Sequence, residues 1–381
     1  MKVFLLAVEP SADTLGAGLV RELRNLDPEV TFAGIGGPAL RAEGLPSQMD
    51  IDGLAILGFV EGLRHYPMIL RRVKEAAARI MESGADAAVL IDSWGFMIRV
   101  AKRLRTLGYR GKIIKYVAPQ VWAMRAGRAK TLAQHVDHVL SLHSFDAPYF
   151  EPHGLPVRYV GNAVFDTDYR VGNADAVRAR YNLGDRPVLA VFFGSRSSEI
   201  ARLAEPFTQT VQSLKRALPN LAIISPVSAN VAQDVGAAAA SNPDMQDIIL
   251  LPEADKLDVM ACATAALACS GTMTTQLACA GVPTVVAYRL SPLTYFAVKR
   301  LYRPNYISLV NIAADAPLMS EFMQNDASPA NLSKALLPLL TDTKKRAAAR
   351  DALLQQTEVM RGEGSASAQA AQAVLDILKD G

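Results

Sequence analysis

A turn in the second half of the chain has residues suited to binding an anion. In "VFFGSRSSEI", residues 191–200, an apolar run ends at Gly194, and Ser195, Arg196 and Glu199 lie where a helix is predicted to begin. A helix N-terminus offers free N–H groups and partial positive charge, and arginine can bind two phosphate oxygens at once. The turn therefore suits a diphosphate. Serine also caps helices, so an ordinary capped turn is the alternative.

A second turn of the same design lies in "CSGTMTTQLACAGVP", residues 269–283. Ser270, Gly271 and Thr272 follow an apolar strand and begin a helix, and Gln276 lies one turn further on, where its amide can reach a ribose hydroxyl. Helix capping again competes with ligand binding. Two such turns at the carboxyl ends of strands favour a nucleotide site over coincidence.

The first half offers two further polar turns. "AVEPSADTLGAGL", residues 7–19, places Glu9, Ser11 and Asp13 after a predicted strand, without the glycine fingerprint of dinucleotide-binding proteins. "VLIDSWGF", residues 89–96, places Asp92 just beyond another strand, where a carboxylate could act as general base toward a hydroxyl. From position alone, capping of the next helix is the favoured reading for Asp92.

Three segments combine cations with aromatic or apolar residues. In "YVAPQVWAMRAGRAK", residues 116–130, Trp122 reads as a rim contact or as core, and the cations read as a solvated face unless an anion lies nearby. Residues 55–74 and 288–306 interleave apolar and aromatic residues with Lys and Arg, a pattern that suits an anionic bilayer surface. Amphipathic packing onto a sheet is the commoner cause of such a pattern.

The elements around these turns alternate strand and helix, which predicts parallel sheets wrapped by helices. A polar stretch at 166–187 interrupts the alternation and marks a domain boundary. The predicted fold is α/β, with two tandem Rossmann-like, doubly wound domains facing across a cleft. We expect an N-terminal domain (1–170), a second domain (171–345) that carries the two nucleotide turns, and C-terminal helices (346–381) that pack back on the N-terminal domain.

Composition excludes several classes of protein. The 381-residue chain has a net charge of +3 and 20% charged residues, so bulk charge does not indicate a nucleic-acid partner. The three cysteines fit neither a zinc site nor complete disulfide pairing. The N-terminus reads as a first strand rather than a signal peptide, and residues 259–288 are too interrupted by Ser, Gly and Pro to span a membrane.

These motifs converge on one family. The chain resembles the lipid-A-disaccharide synthases along almost its whole length, including "EPSADTLGAGL", "GIGGPALRAEG", "LGFVEGL", "YVAPQVWAMRAGR", "FFGSRSSEI", "VVAYRLSPLTYFAVKRL" and "YISLVNI". The resemblance implies an inverting GT-B glycosyltransferase. Such an enzyme transfers the sugar of UDP-2,3-diacylglucosamine to 2,3-diacylglucosamine 1-phosphate (lipid X) and releases UDP. It implies no metal and no other cofactor, and a peripheral location on the cytoplasmic face of the inner membrane. A homodimer is left open.

The resemblance also assigns roles to domains and residues. It implies that the first domain (1–170) is the acceptor and lipid domain and that the second (171–345) binds a UDP-sugar. Asp92 matches the essential aspartate of the family and becomes the expected general base. The residues expected at the nucleotide are Gly194, Ser195, Arg196, Glu199, Ser270, Gly271, Thr272 and Gln276. Those expected at the acceptor or cleft are Glu9, Ser11, Asp13, Trp122, Arg125, Asn162, Tyr288, Arg289 and Asn311. Those expected to contact acyl chains or membrane are Phe59, Val60, Leu63, Met68, Ile69, Leu70, Tyr295 and Phe296.

The chain departs from the family pattern close to these positions. Gln276 stands where the family usually has glutamate, Gly95 where it has a second aspartate, and Asn162 where it has histidine. Two alternatives therefore stay open beside the synthase. One is a divergent GT-B paralogue that uses another nucleotide sugar, and the other is a catalytically weakened protein that binds lipid precursors.

Overall fold

The computed structural model describes residues 1–51, 54, 66–228, 231–240, 245, 248–362 and 364–380. The chain divides into two compact units. Unit 1 comprises Met1–Asp166 and Arg361–Gly381, and unit 2 comprises Thr167–Met360. Within the described residues, each unit contains one six-stranded sheet whose strand pairs are all parallel.

The sheet of unit 1 has the strand order β2-β1-β3-β4-β5-β6. Its strands are β1 Lys2–Leu6, β2 Thr31–Ile35, β3 Ala87–Ile91, β4 Lys112–Tyr116, β5 His138–Ser141 and β6 Val157–Tyr159. Its helices are α1 Pro10–Leu26, α2 Pro38–Ala42, α3 Tyr66–Ser83, α4 Trp94–Thr106, α5 Gly127–Ala133 and α6 Ala147–Phe150. The chain order reverses between β1 and β3, and ligands of doubly wound sheets bind beyond the strand ends at such a point.

The sheet of unit 2 has the order β12-β11-β10-β7-β8-β9 and reverses between β7 and β10. Its strands are β7 Val188–Phe192, β8 Ala222–Val227, β9 Ile249–Pro252, β10 Ala265–Cys269, β11 Thr284–Tyr288 and β12 Ser320–Met323. Its helices are α7 Ala174–Arg180, α8 Ser197–Ala217, α9 Ala232–Ala240, α10 Lys256–Cys262, α11 Thr272–Cys279, α12 Pro292–Leu301, α13 Leu309–Ala314, α14 Pro329–Thr341 and α15 Thr343–Arg361.

The central strands are buried on both faces, which explains their continuous apolar sequences. Every residue of β3, β7 and β10 is buried. Helices cover both faces of a doubly wound sheet, so such strands do not need polar residues at alternate positions. This arrangement leaves the strand ends as the places where polar residues gather.

The last two helices divide between the units in a way that the sequence analysis did not predict. Helix α15 belongs to unit 2, where Arg350 and Leu354 pack against the turn at Gly281. Only α16, Ala366–Lys379, returns to unit 1 and packs against α1. The carboxylate of Asp166 holds its start by accepting a hydrogen bond from the N–H of Ala366 at 3.1 Å. The chain therefore returns to unit 1 at about residue 361, rather than at residue 346 as predicted.

Candidate functional site

The two predicted phosphate turns lie next to each other in unit 2. Gly194 follows β7 and Ser270 follows β10, and these strands are paired at the point where the chain order reverses. A cavity of about 300 Å³ opens between them. All eight residues predicted at the nucleotide line this cavity: Gly194, Ser195, Arg196, Glu199, Ser270, Gly271, Thr272 and Gln276.

Glu199 organises the first turn. Its buried carboxylate accepts a hydrogen bond from the backbone N–H of Ser195 at 3.0 Å and another from the guanidinium of Arg196 at 2.8 Å. Gly194 has a φ of 118°, and a Cβ there would lie 2.7 Å from Glu199 Oε2. Both the backbone conformation and the space therefore require glycine at this position.

Helix capping does not explain either turn. The residue before α8 is Arg196 and the residue before α11 is Gly271, and neither provides a side-chain cap. Elsewhere in the chain serine does cap helices, since Ser308, Ser328 and Ser365 each accept a bond from the N–H three residues on. The sequence alternative of serine capping therefore does not apply at the first residue before either helix.

Gln276 points a polar atom into the second turn. It lines the cavity, and its buried Oε1 finds no hydrogen-bond partner in the described part of the chain. Burial raises the pKa of the nearby Tyr169, and hydrogen bonds from Thr167 and Gln276 oppose that shift. A buried carbonyl oxygen without a partner is costly, and a ribose hydroxyl would satisfy it.

Among the lining residues that the sequence analysis did not select, four come from outside the two turns: Pro226, Ser228, Glu253 and Lys256. They follow or end strands β8 and β9, which lie beside β7 on the opposite side from β10. The available signal was their position at the ends of predicted strands. Their surroundings lack the glycine and serine pattern that drew attention to the other two turns.

Three residues predicted at the acceptor or cleft belong to unit 2, and only one lies near the cavity. Tyr288 ends β11, and the charge of Glu199 adds to burial in raising its pKa. Arg289 instead donates to the backbone oxygens of Gln324 and Ala327, at 3.1 and 2.8 Å. Asn311 is fully buried and bonds to Met319 and Glu321. Arg289 and Asn311 therefore hold the fold together rather than face a ligand.

In unit 1, Asp92 lies in a strained turn at the end of β3. Asp92 and Ser93 have φ values of 53° and 37°, which non-glycine residues seldom adopt. The N–H of Asp92 donates to the oxygen of Tyr116 at 2.9 Å, and the Ser93 hydroxyl donates to the carboxylate of Glu9. Glu9 follows β1, the strand paired with β3 at the point where the chain order reverses. Contacts from two neighbouring strands thus fix this turn.

A buried lysine that the sequence analysis did not select also stabilises this turn. Lys115 on β4 is 2% exposed, and its Nζ donates to the backbone oxygen of Asp92 at 2.6 Å and to that of Tyr116 at 3.0 Å. Burial lowers the pKa of Lys115 from 10.5 to about 7, while the charges of Asp92 and Glu9 act in the opposite direction. The available signal was a lysine inside an otherwise apolar, buried strand.

Three other polar residues predicted in unit 1 have different surroundings. Asp13 is 2% exposed, and its carboxylate accepts from the N–H groups of Gly37, Ala39 and Leu40, so it caps α2. Asn162 accepts from the N–H of Val164 at 3.1 Å and shapes its own turn. Ser11 is exposed on the first turn of α1. These bonds give Asp13 and Asn162 structural roles, and their expected contact with the acceptor stays a prediction.

In the segment after β4, Trp122 and the neighbouring arginines have different surroundings. Trp122 is buried and packs edge-on against Phe145, with ring centroids 5.4 Å apart, so it is core rather than rim. Arg125 is exposed and has a φ of 58°. Arg128 lies over the ring of Trp94, two residues beyond Asp92, at 5.1 Å.

The residues predicted to contact membrane differ in exposure. Phe59, Val60 and Leu63 lie outside the described residues. Met68 and Ile69 are partly buried against the core of unit 1, whereas Leu70 is 37% exposed. Phe296 on α12 is 62% exposed beneath the guanidinium of Arg300, and Lys299 lies over the half-buried Tyr295. Within the described chain, no helix combines the length and apolarity that crossing a bilayer requires.

The geometry of both units is that of the GT-B fold, and solved structures share it. A UDP-GlcNAc 2-epimerase from Neisseria meningitidis bound to UDP-GlcNAc matches with a TM-score of 0.60, 11% identity and coverage of 100% of both chains. MurG from Acinetobacter baumannii matches with a TM-score of 0.59, 16% identity and coverage of 100% of this chain and 99% of that one. At such identities the likeness concerns the fold alone.

Sequence comparison defines the family. The family model described as lipid-A-disaccharide synthetase matches residues 3–376. The lipid-A-disaccharide synthase of Rhodospirillum centenum is 41% identical, over 99% of this chain and 94% of the relative. That of Paramagnetospirillum magneticum is 39% identical, over 100% and 98%. The chain belongs to the lipid-A-disaccharide synthase family.

Members of this family are glycosyltransferases of lipid A biosynthesis that condense UDP-diacylglucosamine with lipid X. The predicted family, fold class and activity are therefore confirmed. Neither a paralogue with another donor nor a weakened binding protein is supported by these matches.

Proposed function

We propose that unit 2 binds the UDP part of the donor and that unit 1 supplies the general base, Asp92. The observation that carries the first half is the cavity between the turns after β7 and β10, lined by Arg196 and by backbone at Gly194 and Gly271. Its volume, the backbone N–H groups of its two turns, and Arg196 and Lys256 in its wall suit a nucleoside diphosphate.

Each turn has a separate task in this proposal. Arg196 and the N–H groups of the first turn receive the diphosphate, whose negative charge grows as UDP departs. The hydroxyls of Ser270 and Thr272 and the amide of Gln276 receive the ribose and the remaining phosphate oxygens. Tyr288, close to Glu199, borders the same place.

The chemical step needs one proton acceptor. The acceptor hydroxyl oxygen forms a bond to the anomeric carbon of the donor sugar as its proton passes to the Asp92 carboxylate. The bond from that carbon to the diphosphate oxygen breaks, and UDP leaves with the electron pair. The left-handed turn, held by Tyr116, Lys115 and the Glu9–Ser93 hydrogen bond, supports this role because strain of this kind concentrates at functional sites.

A radiolabelled transfer assay tests these roles. Purified protein in detergent is given UDP-2,3-diacylglucosamine and lipid X, with EDTA present, and disaccharide is counted. We expect product from the wild type and a loss of about 10²-fold or more in Asp92→Ala, with UDP affinity unchanged. Thr14→Ala, an exposed change on α1 of the same unit, is the control. Full activity in Asp92→Ala would remove Asp92 from the mechanism.

Light scattering of the same wild-type sample distinguishes a monomer from a homodimer.

We also propose that α12 rests on the cytoplasmic face of the inner membrane, where the acylated substrates lie. Phe296 and Leu301 are exposed apolar side chains among Lys299, Arg300 and Arg303. Sedimentation with vesicles that contain phosphatidylglycerol tests this idea. Phe296→Ser should weaken vesicle binding, whereas Val171→Ser, at a residue 67% exposed in a polar loop, should not. Equal binding by both variants would argue against α12 as the contact.

A further inference from the structure

Two arginines of unit 1 lie on one turn of chain beside the Asp92 segment. The N–H of Arg128 donates to the backbone oxygen of Arg125 at 2.9 Å, so one helical turn separates them. The guanidinium of Arg128 lies over the ring of Trp94, with 5.1 Å between its central carbon and the ring centroid. Trp94 is the first residue of α4 and follows Asp92 and Ser93 directly. The stacking therefore holds a cation against the segment that carries the proposed general base.

The charges of this pair lack a counter-ion within the described chain. Burial lowers the pKa of Arg128, and the positive charge of Arg125 lowers it further. Among the described residues neither arginine forms an ion pair, whereas Arg72 and Arg105 of the same unit each face a carboxylate. Two neighbouring like charges, one of them half-buried, disfavour each other unless an anion joins them.

The backbone of Arg125 also has an unfavourable conformation. Arg125 has a φ of 58°, in the left-handed region that disfavours an arginine. Nothing about a solvated basic helix face requires such strain. Strained conformations and uncompensated charges persist together at ligand sites, where the ligand offsets them.

The surroundings leave room for a solute. A Cβ added at Gly127, between the two arginines, would meet no heavy atom within 4 Å. A Cβ at Gly95, on the first turn of α4, would meet only Arg99 Nη1 at 3.7 Å. The side chains present therefore leave open the space beside both turns.

We propose that Arg125 and Arg128 bind the phosphate monoester of the acceptor, lipid X. This inference rests on the proposed function, in which unit 1 supplies the base for the acceptor hydroxyl and unit 2 holds the donor. Planar guanidinium groups match phosphate oxygens in pairs, and stacking on Trp94 holds one of them ready. The site thereby gives the enzyme a means to select a phosphorylated acceptor.

Binding without donor provides the test. The affinities of lipid X and of its dephosphorylated form, 2,3-diacylglucosamine, are measured in detergent with wild type and with Arg125→Gln/Arg128→Gln. We expect the wild type to prefer lipid X by about 10- to 100-fold, and the variant to bind the two within about threefold. Arg24→Gln is the matched control, because Arg24 also stacks on an aromatic ring of unit 1, that of Phe32 at 5.3 Å. It should keep the preference.

The outcomes separate this idea from its rivals. An undiminished preference for lipid X in the folded double variant would overturn it, as would an equal loss of affinity for both ligands. Loss of binding to phosphatidylglycerol vesicles with an unchanged preference would assign the arginines to bilayer phosphates and also overturn it. Ligand binding is measured here without sugar transfer. A protein that shows the expected binding preferences but forms no disaccharide would therefore contradict the proposed catalytic role of Asp92 and leave this inference intact.

Discussion

The Nζ atom of Lys115 donates a hydrogen bond to the backbone oxygen of Asp92 at 2.6 Å, from a side chain that is itself buried. The bond joins β4, near its carboxyl end, to the strained turn after β3. It reaches the main chain of Asp92 rather than the carboxylate that we propose as the general base. Under that proposal Lys115 would position the base rather than react.

Replacing Lys115 by methionine should slow transfer without loosening the donor. Methionine keeps the apolar length but loses a charged hydrogen bond, so we expect kcat to fall about 10- to 100-fold with little change in the KM for the donor. Lys112→Met, at the start of the same strand, is the control and should be near wild type. A folded Lys115→Met enzyme with an undiminished kcat would show that Asp92 holds its turn without the lysine.

The same lysine predicts how stability depends on pH. Its pKa is about 7 in the folded protein and 10.5 when exposed, so between these values the unfolded chain binds more protons. Unfolding free energy should then rise with pH from about 7 to 10.5 in the wild type, relative to Lys115→Met. Between pH 7 and 9 the relative gain is at most about 3 kcal/mol. Thermal unfolding of both proteins across this range measures it, and parallel curves would refute the expectation.

Arg196, which directly precedes α8, should contribute more to UDP binding than Arg202, which lies within that helix. Removal of a guanidinium that binds phosphate oxygens raises the dissociation constant of UDP about 10- to 100-fold in Arg196→Ala. Arg202→Ala provides the comparison, because Arg202 lies on the same helix and donates to the Ser198 oxygen. Calorimetric titration with UDP measures both, and equal affinities would place the diphosphate elsewhere.

Gly271 should tolerate alanine in folding but not in binding. Its φ of 165° is extended, and a Cβ would meet no protein atom within 4 Å. We expect an unchanged unfolding temperature and a UDP dissociation constant raised about 10-fold or more, because the methyl group would occupy space meant for the ligand. Gly194→Ala should instead lower the unfolding temperature as well as raise the UDP dissociation constant, since its Cβ collides with Glu199. Unaltered UDP binding in Gly271→Ala would mean that the ligand stays away from this backbone.

Central strands such as β3, β7 and β10 are predictable from sequence, because buried parallel strands read as apolar runs. Strand β12, Ser320–Met323, is hard to predict because it is a short edge strand that contains Glu321. The apolar periodicity predicts a first helix over residues 15–25, whereas α1 begins at Pro10, since proline suits the first position of a helix.

The two phosphate turns were predictable because glycine, serine and arginine at a strand end form a local pattern. The surroundings of Lys115 and Asp13 were not, because their partners come from distant strands and turns. A carboxylate that caps α2 and a carboxylate that meets a ligand look alike in sequence. Only the three N–H groups from 37, 39 and 40 tell them apart.

The carboxylate of Glu199 has one more consequence for the enzyme's working life. It accepts bonds from the Ser195 N–H and the Arg196 guanidinium, so under the proposed function a bound anion would compete with a tethered carboxylate for both donors. A lone inorganic phosphate would gain few contacts in that exchange, whereas a diphosphate anchored by its nucleoside would gain many. The proposed site would therefore favour UDP over inorganic phosphate, and Glu199 would take back both donors as UDP leaves.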